Sequence, residues 1–364
     1  MALECTQSFY LFPEFNTTGV ADHLGVKIIR GIVGTYSPYH PYVLTTIVII
    51  SFIFNSFIVI VLSHKEMRVS GINVTMLLIA LCDFLCACFA LSQMIFARIT
   101  KEDEYISYPH AFFSLASDYL AVAFHASSLY LAVGMAFCRV RSLNLSDKNR
   151  SKWQTPSYSL RVAVVLCIPV FITATIVIII NVIVPVNEYE VEIDISDFAL
   201  AHNCLFIRIS LLWAGVMFKG VPCLIMFILS LILLSKLEEG KKSDAQNSGN
   251  STRVDKQKTI ERSSTLIQVV LVIFVILELP QSIFSIMGGL FVVDYFYYFM
   301  SLSIIMNICS FVNTSTAFVI YSILSTKFRK MFLIIFLPDA IHKKYITRRS
   351  ITTVQSIASS TIRS

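Results

Sequence analysis

Charged residues are scarce here, at 14% of a 364-residue chain, where an ordinary soluble domain carries about a quarter. With 56% hydrophobic residues and a mean hydropathy of +0.73, that scarcity excludes a water-soluble enzyme. No paired carboxylates, Ser/His pair or metal-ligating cluster occurs within the apolar stretches, so the chain is not read as an enzyme and no cofactor or metal is expected. No internal repeat is visible either, as inverted-repeat transporters would show. The net charge of +6 does not mark a nucleic-acid binder, because the basic residues lie in loops between apolar blocks rather than on one soluble patch.

What the chain does have is seven apolar segments, each near the ~20 residues that cross a ~30 Å hydrocarbon layer. They run over about 43–62, 72–97, 110–138, 162–184, 209–234, 265–293 and 297–324. In lipid every backbone amide needs a partner within its own segment, so each is expected to be helical. The expected fold is therefore all-α, an integral membrane bundle of seven transmembrane helices spanning 42–325. Pro169, Pro222 and Pro280 lie inside the fourth, fifth and sixth segments and predict kinks.

Basic residues set the orientation. If the N-terminus is outside, the inner loops and tail hold 23 Lys and Arg and the outer segments hold 5, with Lys219 inside the fifth span. The positive-inside rule then places residues 1–41 outside the cell and the C-terminus in the cytoplasm of a plasma-membrane protein. The first 41 residues carry no signal-peptide core, since Glu4, Glu14, Asp22, Lys27 and Arg30 interrupt them, so insertion is expected to begin with the first span. Asn16 heads a glycosylation sequon on the outer side. Glu188, Glu190, Glu192, Asp194 and Asp197 crowd one outer loop, which either attracts cations to an acidic mouth or is simply solvated. After the seventh span, 326–337 reads as a short amphipathic helix on the inner membrane lipid, and 338–364 as a disordered tail with nine Ser or Thr.

An ionisable group inside a span costs at least ~2.5 kcal/mol, so each one marks a function or a buried pair. At ~1.5 Å per helical residue, His125, Lys219 and Glu278 lie about 21, 26 and 24 Å from the basic residues at their inner boundaries, so they could meet in one layer. We expect them at the floor of an outward-opening cavity. The same groups would also serve by satisfying one another and holding the bundle together. Glu278 precedes Pro280 by two residues, where the helix lacks one backbone bond and can bend. Asp83 lies at similar depth. Asp118, two turns above His125 on the same face, would meet a ligand amine or guanidinium at the entrance, or else pair with Arg98 or Arg208.

Asn55, Leu81-Cys82-Asp83, Arg139 at the end of the third span, Pro222, Pro280 and Tyr321 together resemble the rhodopsin-like G-protein-coupled receptors. The words Met67-Arg68-Val69-Ser70-Gly71-Ile72-Asn73, Phe124-His125-Ala126-Ser127-Ser128-Leu129, Leu277-Glu278-Leu279-Pro280-Gln281 and Tyr321 to Arg329 resemble the nematode serpentine receptor class W chemoreceptors. Those are similar in turn to FMRFamide-like and myosuppressin peptide receptors. The resemblance covers about residues 41–337 and has departures. Cys138 stands where an acidic residue usually precedes the arginine, Ala317 stands in place of an asparagine near the end of the seventh span, and Glu278 replaces a tryptophan switch.

The resemblance implies an extracellular peptide or small-molecule ligand bound by Asp118, His125, Lys219, Glu278 and Gln281. It implies a switch involving Glu278, Pro280, Asp83 and Tyr321, and a heterotrimeric G protein met by Arg139 and Arg141. Arrestin would read the Ser/Thr-rich tail. Ser114 occupies the usual disulfide position, so Cys204 lacks its common partner and pairing with Cys5 is the remaining outer possibility. The competing reading is a transporter or ligand-gated channel that uses the intramembrane polar cluster as an ion path.

Overall fold

The computed structural model describes residues 5, 24–99, 106–144, 155–188, 190–246, 251–295 and 300–336. Asn16 and the tail beyond 336 lie outside the described residues. Seven helices are long and apolar enough to cross a membrane: Gly31–Leu62, Gly71–Ile99, Tyr108–Ser142, Pro156–Ile180, Asp197–Lys236, Val272–Leu290 and Leu302–Ile323. We call them the first to seventh spans. The chain is a multi-pass membrane protein with an all-helical bundle.

The first span is entered through helix α1 (Leu24–Tyr36) and a 3₁₀ turn at Ser37–Tyr39 that places Pro38 at its first turn. Proline is tolerated there because that N–H would be unbonded anyway. Outward-facing Ile, Leu, Val and Phe stay exposed on most spans, as on Val164, Val165, Ile168 and Ile172 of the fourth, where hydrocarbon rather than protein would cover them. One buried cluster, including Leu62, Met76, Leu131, Met135, Met226 and Phe274, fills the bundle between the spans.

Buried polar groups fasten the helices to one another. Ser51 and Thr314 share a 2.7 Å bond between the first and seventh spans, and Asn55 Nδ2 donates to the Thr314 carbonyl at 3.2 Å. Ser159 Oγ donates to the Gly71 carbonyl at 2.9 Å, joining the fourth span to the second.

The hydropathy range 162–184 overruns the fourth helix. Asn181–Pro185 is strand β1, paired antiparallel with β2 (Val191–Ile195) in the register Ile183↔Ile193. Val182, Ile183 and Val184 are apolar enough to be counted as membrane residues, yet β-branched side chains also favour a strand when a partner is present. Glu190 and Asn187 close the hairpin turn, with Glu190 N donating to Asn187 Oδ1 at 2.9 Å. Ile106 extends the ribbon by one bridge to Val191, which ties the loop to the start of the third span.

Ser196 caps a short helix that starts at Asp197, and non-helical backbone from Ala201 to Cys204 separates it from the helix that continues as the fifth span. That span contains a π-helical segment, Ala214–Gly220, directly ahead of Pro222. Proline's ring clashes with the carbonyl four residues back and offers no N–H, and widening the preceding turn relieves both problems. Val221 N accordingly bonds to Val216 O, five residues back. That leaves the Met217 carbonyl free to accept from Tyr130 Oη at 2.6 Å and couples the fifth span to the third. The final helix, Thr326–Phe336, turns Phe328 and Met331 into the bundle while Ile334 stays exposed.

Candidate functional site

A cavity of about 460 Å³ is lined by the first, second, third, fifth, sixth and seventh spans. The residues that give it chemistry are Asp118, His125, Lys219, Gln281 and Tyr295, with Val122, Met94, Phe284 and Met306 between them. Tyr295 follows the sixth span, and burial pushes the pKa of its hydroxyl up, so it stays a neutral donor. Gly288 exists because the Tyr295 ring occupies the space a Cβ would need.

Lys219 reaches the interior because of the π segment. One extra residue in the turn rotates every following side chain relative to a regular helix, and Lys219 falls within it. Its Nζ donates to Glu278 Oε2 at 3.0 Å and to Gln281 Oε1. Glu278 Oε1 accepts from Asn313 Nδ2 of the seventh span at 3.1 Å and faces His125 Nε2 of the third at 3.5 Å. The His125 contact is electrostatic, since that nitrogen has no well-formed hydrogen bond among the described residues. Gln281 Nε2 donates to the Met306 carbonyl and to Ser310 Oγ, both at 2.8 Å. One carboxylate and one carboxamide thus join the third, fifth, sixth and seventh spans.

The depth argument placed His125, Lys219 and Glu278 in one layer, and they do meet. Glu278 does not line the cavity, which corrects its expected place on the floor. It is 0% exposed and in contact with Lys219, His125 and Asn313, of which Lys219 and His125 line the cavity. A buried carboxylate needs its charge and lone pairs satisfied, and enclosure by donors is how the bundle does so.

At the mouth, Asp118 pairs with neither Arg98 nor Arg208 among the described residues. Gln93 Nε2 of the second span donates to its Oδ1 at 2.9 Å and to the Ser114 carbonyl at 3.1 Å. Arg208 instead donates to the carbonyls of Asn203 and Leu290.

Asp83 is buried, with Oδ1 lacking a hydrogen-bond partner among the described residues. Pro280 sits within the sixth helix on its exposed side. Tyr321 is buried with its ring edge-on to Phe328 at 5.5 Å. At the other end of the third span Arg139 is 4% exposed and Arg141 is exposed.

Cys5 and Cys204 are joined, with Cα atoms 5.7 Å apart. Cys204 closes a left-handed turn, His202-Asn203-Cys204, with φ of 53°, 60° and 58°. They pack with Ala199, Ile207 and Val292 in a small cluster outside the main core.

Asn313, Ser310, Gln93 and Tyr295 escaped the sequence reading, which searched for ionisable groups in spans. Ser310, Asn313 and Thr314 at i, i+3 and i+4 form a polar stripe in the seventh span, and that stripe was the available signal.

With this geometry established, comparison with known proteins is direct. The model of the family described as serpentine type 7TM GPCR chemoreceptor Srw matches residues 42–337. A Caenorhabditis elegans protein described as G-protein coupled receptor dmsr-1 is 23% identical over 386 aligned residues, covering 90% of this chain and 74% of that protein. Both are receptors, and neither comparison points to a transporter or a channel.

Proposed function

This chain belongs to the Srw family of serpentine seven-transmembrane G-protein-coupled chemoreceptors, and on that premise we propose that its 460 Å³ cavity is the ligand site and the Glu278 cluster beneath it the switch. As a G-protein-coupled receptor it answers an extracellular ligand by engaging a G protein. In this reading the N-terminus and the acidic hairpin face outward at the plasma membrane, and Arg139 and Arg141 meet the G protein. The ligand is a small amidated peptide of the FMRFamide-like class or an environmental chemical of similar size. The Ser/Thr-rich tail recruits arrestin once phosphorylated, and Thr326–Phe336 rests on inner-leaflet lipid.

One observation carries the proposal. Four spans converge on Glu278 and Gln281 directly under a cavity whose wall includes two of their partners, Lys219 and His125. A ligand touching Lys219 or Gln281 changes the hydrogen bonds that hold the sixth span to the fifth and seventh. The helix is weakest there, at Pro280, so a local change in bonding is converted into a change in helix bend.

The test is nucleotide exchange on a promiscuous G protein in cells expressing the chain, challenged with amidated peptides and with volatile chemicals. Glu278→Gln is expected to impair the response while surface expression is unchanged. Loss of surface expression in that variant, with signalling normal per surviving molecule, would make the cluster merely structural.

A further inference from the structure

The first span is longer than the membrane it crosses, and the excess carries an exposed apolar face. Gly31–Leu62 runs as one helix of 32 residues, about 48 Å, against ~30 Å of hydrocarbon. Tyr36, Tyr39 and His40 all keep right-handed helical angles, so α1 continues the span through the 3₁₀ turn. Thr45 Oγ1 meets Met94 Sδ of the antiparallel second span, and Arg98, four residues beyond Met94, marks the edge of the hydrocarbon near Tyr42.

Past that edge an exposed helix face should turn polar, yet Ile28, Ile32 and Tyr39 are each more than half exposed. Ile28 lies fourteen residues beyond Tyr42, about 21 Å along the helix. Headgroups extend only about 5–8 Å past the hydrocarbon, so the far end of this face stands in water. An exposed apolar stripe of that kind marks a contact surface.

The stripe has the form that a neighbouring helix needs. Steps of four and three residues alternate without a break through the exposed Ile28, Ile32, Thr35, Tyr39 and Tyr42, then continue as Thr46, Ile49 and Ile53 inside the hydrocarbon. That is the spacing of a seam between paired helices. Its two threonines ask for no polar partner, because Thr35 Oγ1 donates to the Gly31 carbonyl at 2.7 Å and Thr46 Oγ1 to the Tyr42 carbonyl at 2.8 Å. Gly31, Ile32, Thr35, Tyr36 and Tyr39 line an open groove of about 530 Å³. In a parallel pair the side chain at 35 enters a hole bounded by residues 32, 35, 36 and 39 of the facing helix, and all four are groove residues.

Charge and depth decide which helix that is. No Asp, Glu, Lys or Arg occurs from Gly31 to Ser63, and Lys27 and Arg30 fall off the seam by their positions. Two identical faces therefore meet without opposing like charges. A second copy in the same membrane also stands parallel to the first and at the same depth, so its excess length matches residue for residue about a two-fold axis. A foreign span of ordinary length would cover the seam inside the hydrocarbon and stop short of Ile32.

We propose that the receptor pairs with a second copy of itself along the first span and α1, through a seam of Ile28, Ile32, Thr35 and Tyr39 that extends beyond the membrane. The pairing needs neither ligand nor G protein and is independent of the cluster at Glu278.

The test uses membranes of cells expressing the full chain, with single cysteines added and disulfide formation driven by copper phenanthroline. Ile32→Cys and Tyr39→Cys place a cysteine opposite its own copy, near the ~6 Å Cα separation that a disulfide requires, and should give a covalent dimer of twice the chain's mass. Gly34→Cys and Ser37→Cys are exposed nearby but off the seam, and should not. Energy transfer between labelled copies, reconstituted at graded lipid dilution, is the second measurement. Ile28→Glu combined with Ile32→Glu should weaken association at least about tenfold. Both positions are exposed, so surface expression and the Cys5–Cys204 link should be unchanged, and if that variant fails to fold the cysteine arm alone decides. Cross-links equal on and off the seam, a covalent product of any other mass, a parent that stays monomeric at every dilution, or a folded double-glutamate variant that associates like the parent overturns the proposal.

Discussion

Lys219 Nζ lies 3.0 Å from Glu278 Oε2, and this pair spans the boundary between the open cavity and the closed interior, with the lysine side chain 18% exposed and the glutamate 0%. The cation is reachable from outside and the anion is not. In the proposed switch, a change at the cavity would reach Glu278 through Lys219, and the third and seventh spans through Glu278.

Breaking that pair from one side should cost far more than removing both halves. Lys219→Met leaves Glu278 enclosed without its ammonium and is expected to destabilise the bundle by about 3–5 kcal/mol. Lys219→Met combined with Glu278→Leu should recover most of the loss. Thermal unfolding of the purified receptor gives the double-mutant cycle, and a single variant as stable as the parent would refute the coupling.

Asn313 supplies a charge-assisted hydrogen bond to Glu278 at 3.1 Å from the seventh span. Asn313→Ala should cost about 1.5–3 kcal/mol, the usual range for a bond to a charged group. The effect should shrink sharply in a Glu278→Leu background. Equal costs in both backgrounds would mean that Asn313 acts through something else.

Gly215 lets the fifth and sixth spans touch. A Cβ there would stand 2.8 Å from the backbone nitrogen of Ile286 and 2.9 Å from Ser285 Cβ, and backbone cannot move aside cheaply. Gly215→Ala should therefore destabilise by about 1–3 kcal/mol. Gly31, with nothing within 4 Å of the same virtual atom, is its control. Gly31→Ala should be neutral or stabilise by up to about 1 kcal/mol through helix propensity alone. Melting temperatures that move together for the two variants would contradict the close approach.

The Cys5–Cys204 link closes a sequence separation of 199 residues. Cys204→Ser should lower stability by about 2–5 kcal/mol, Cys5→Ser by the same amount, and the double variant by no more than either. Thiol labelling under denaturing, non-reducing conditions should gain one reactive cysteine in each single variant. A double variant clearly worse than the singles would show that the residues contribute separately.

Hydropathy located the seven spans because each must satisfy its own backbone in lipid, whatever its neighbours do. The same local logic found His125, Lys219 and Glu278, since the cost of a charge in a span is a property of the span itself. It failed at Val182 to Val184, which are apolar enough for membrane yet become a strand once Val191–Ile195 lies alongside them. Pro222 announced a distortion in the fifth span. That the distortion would be a π segment ending just before it, and would bring Lys219 onto Glu278 and Gln281, depended on which carbonyls the third and sixth spans could satisfy.

By itself, then, the sequence determined how many helices cross and which side chains are too polar to face lipid. Only the packed bundle decided that Glu278 is sealed beneath the cavity rather than exposed on its floor. Only the packed bundle decided that Asp118 meets Gln93 instead of an arginine, and that Asn313 completes the cluster. The reason is geometric. Insertion is decided one segment at a time along the chain, whereas a contact between side chains depends on the rotation and depth of two helices at once, and neither quantity is carried by either segment alone.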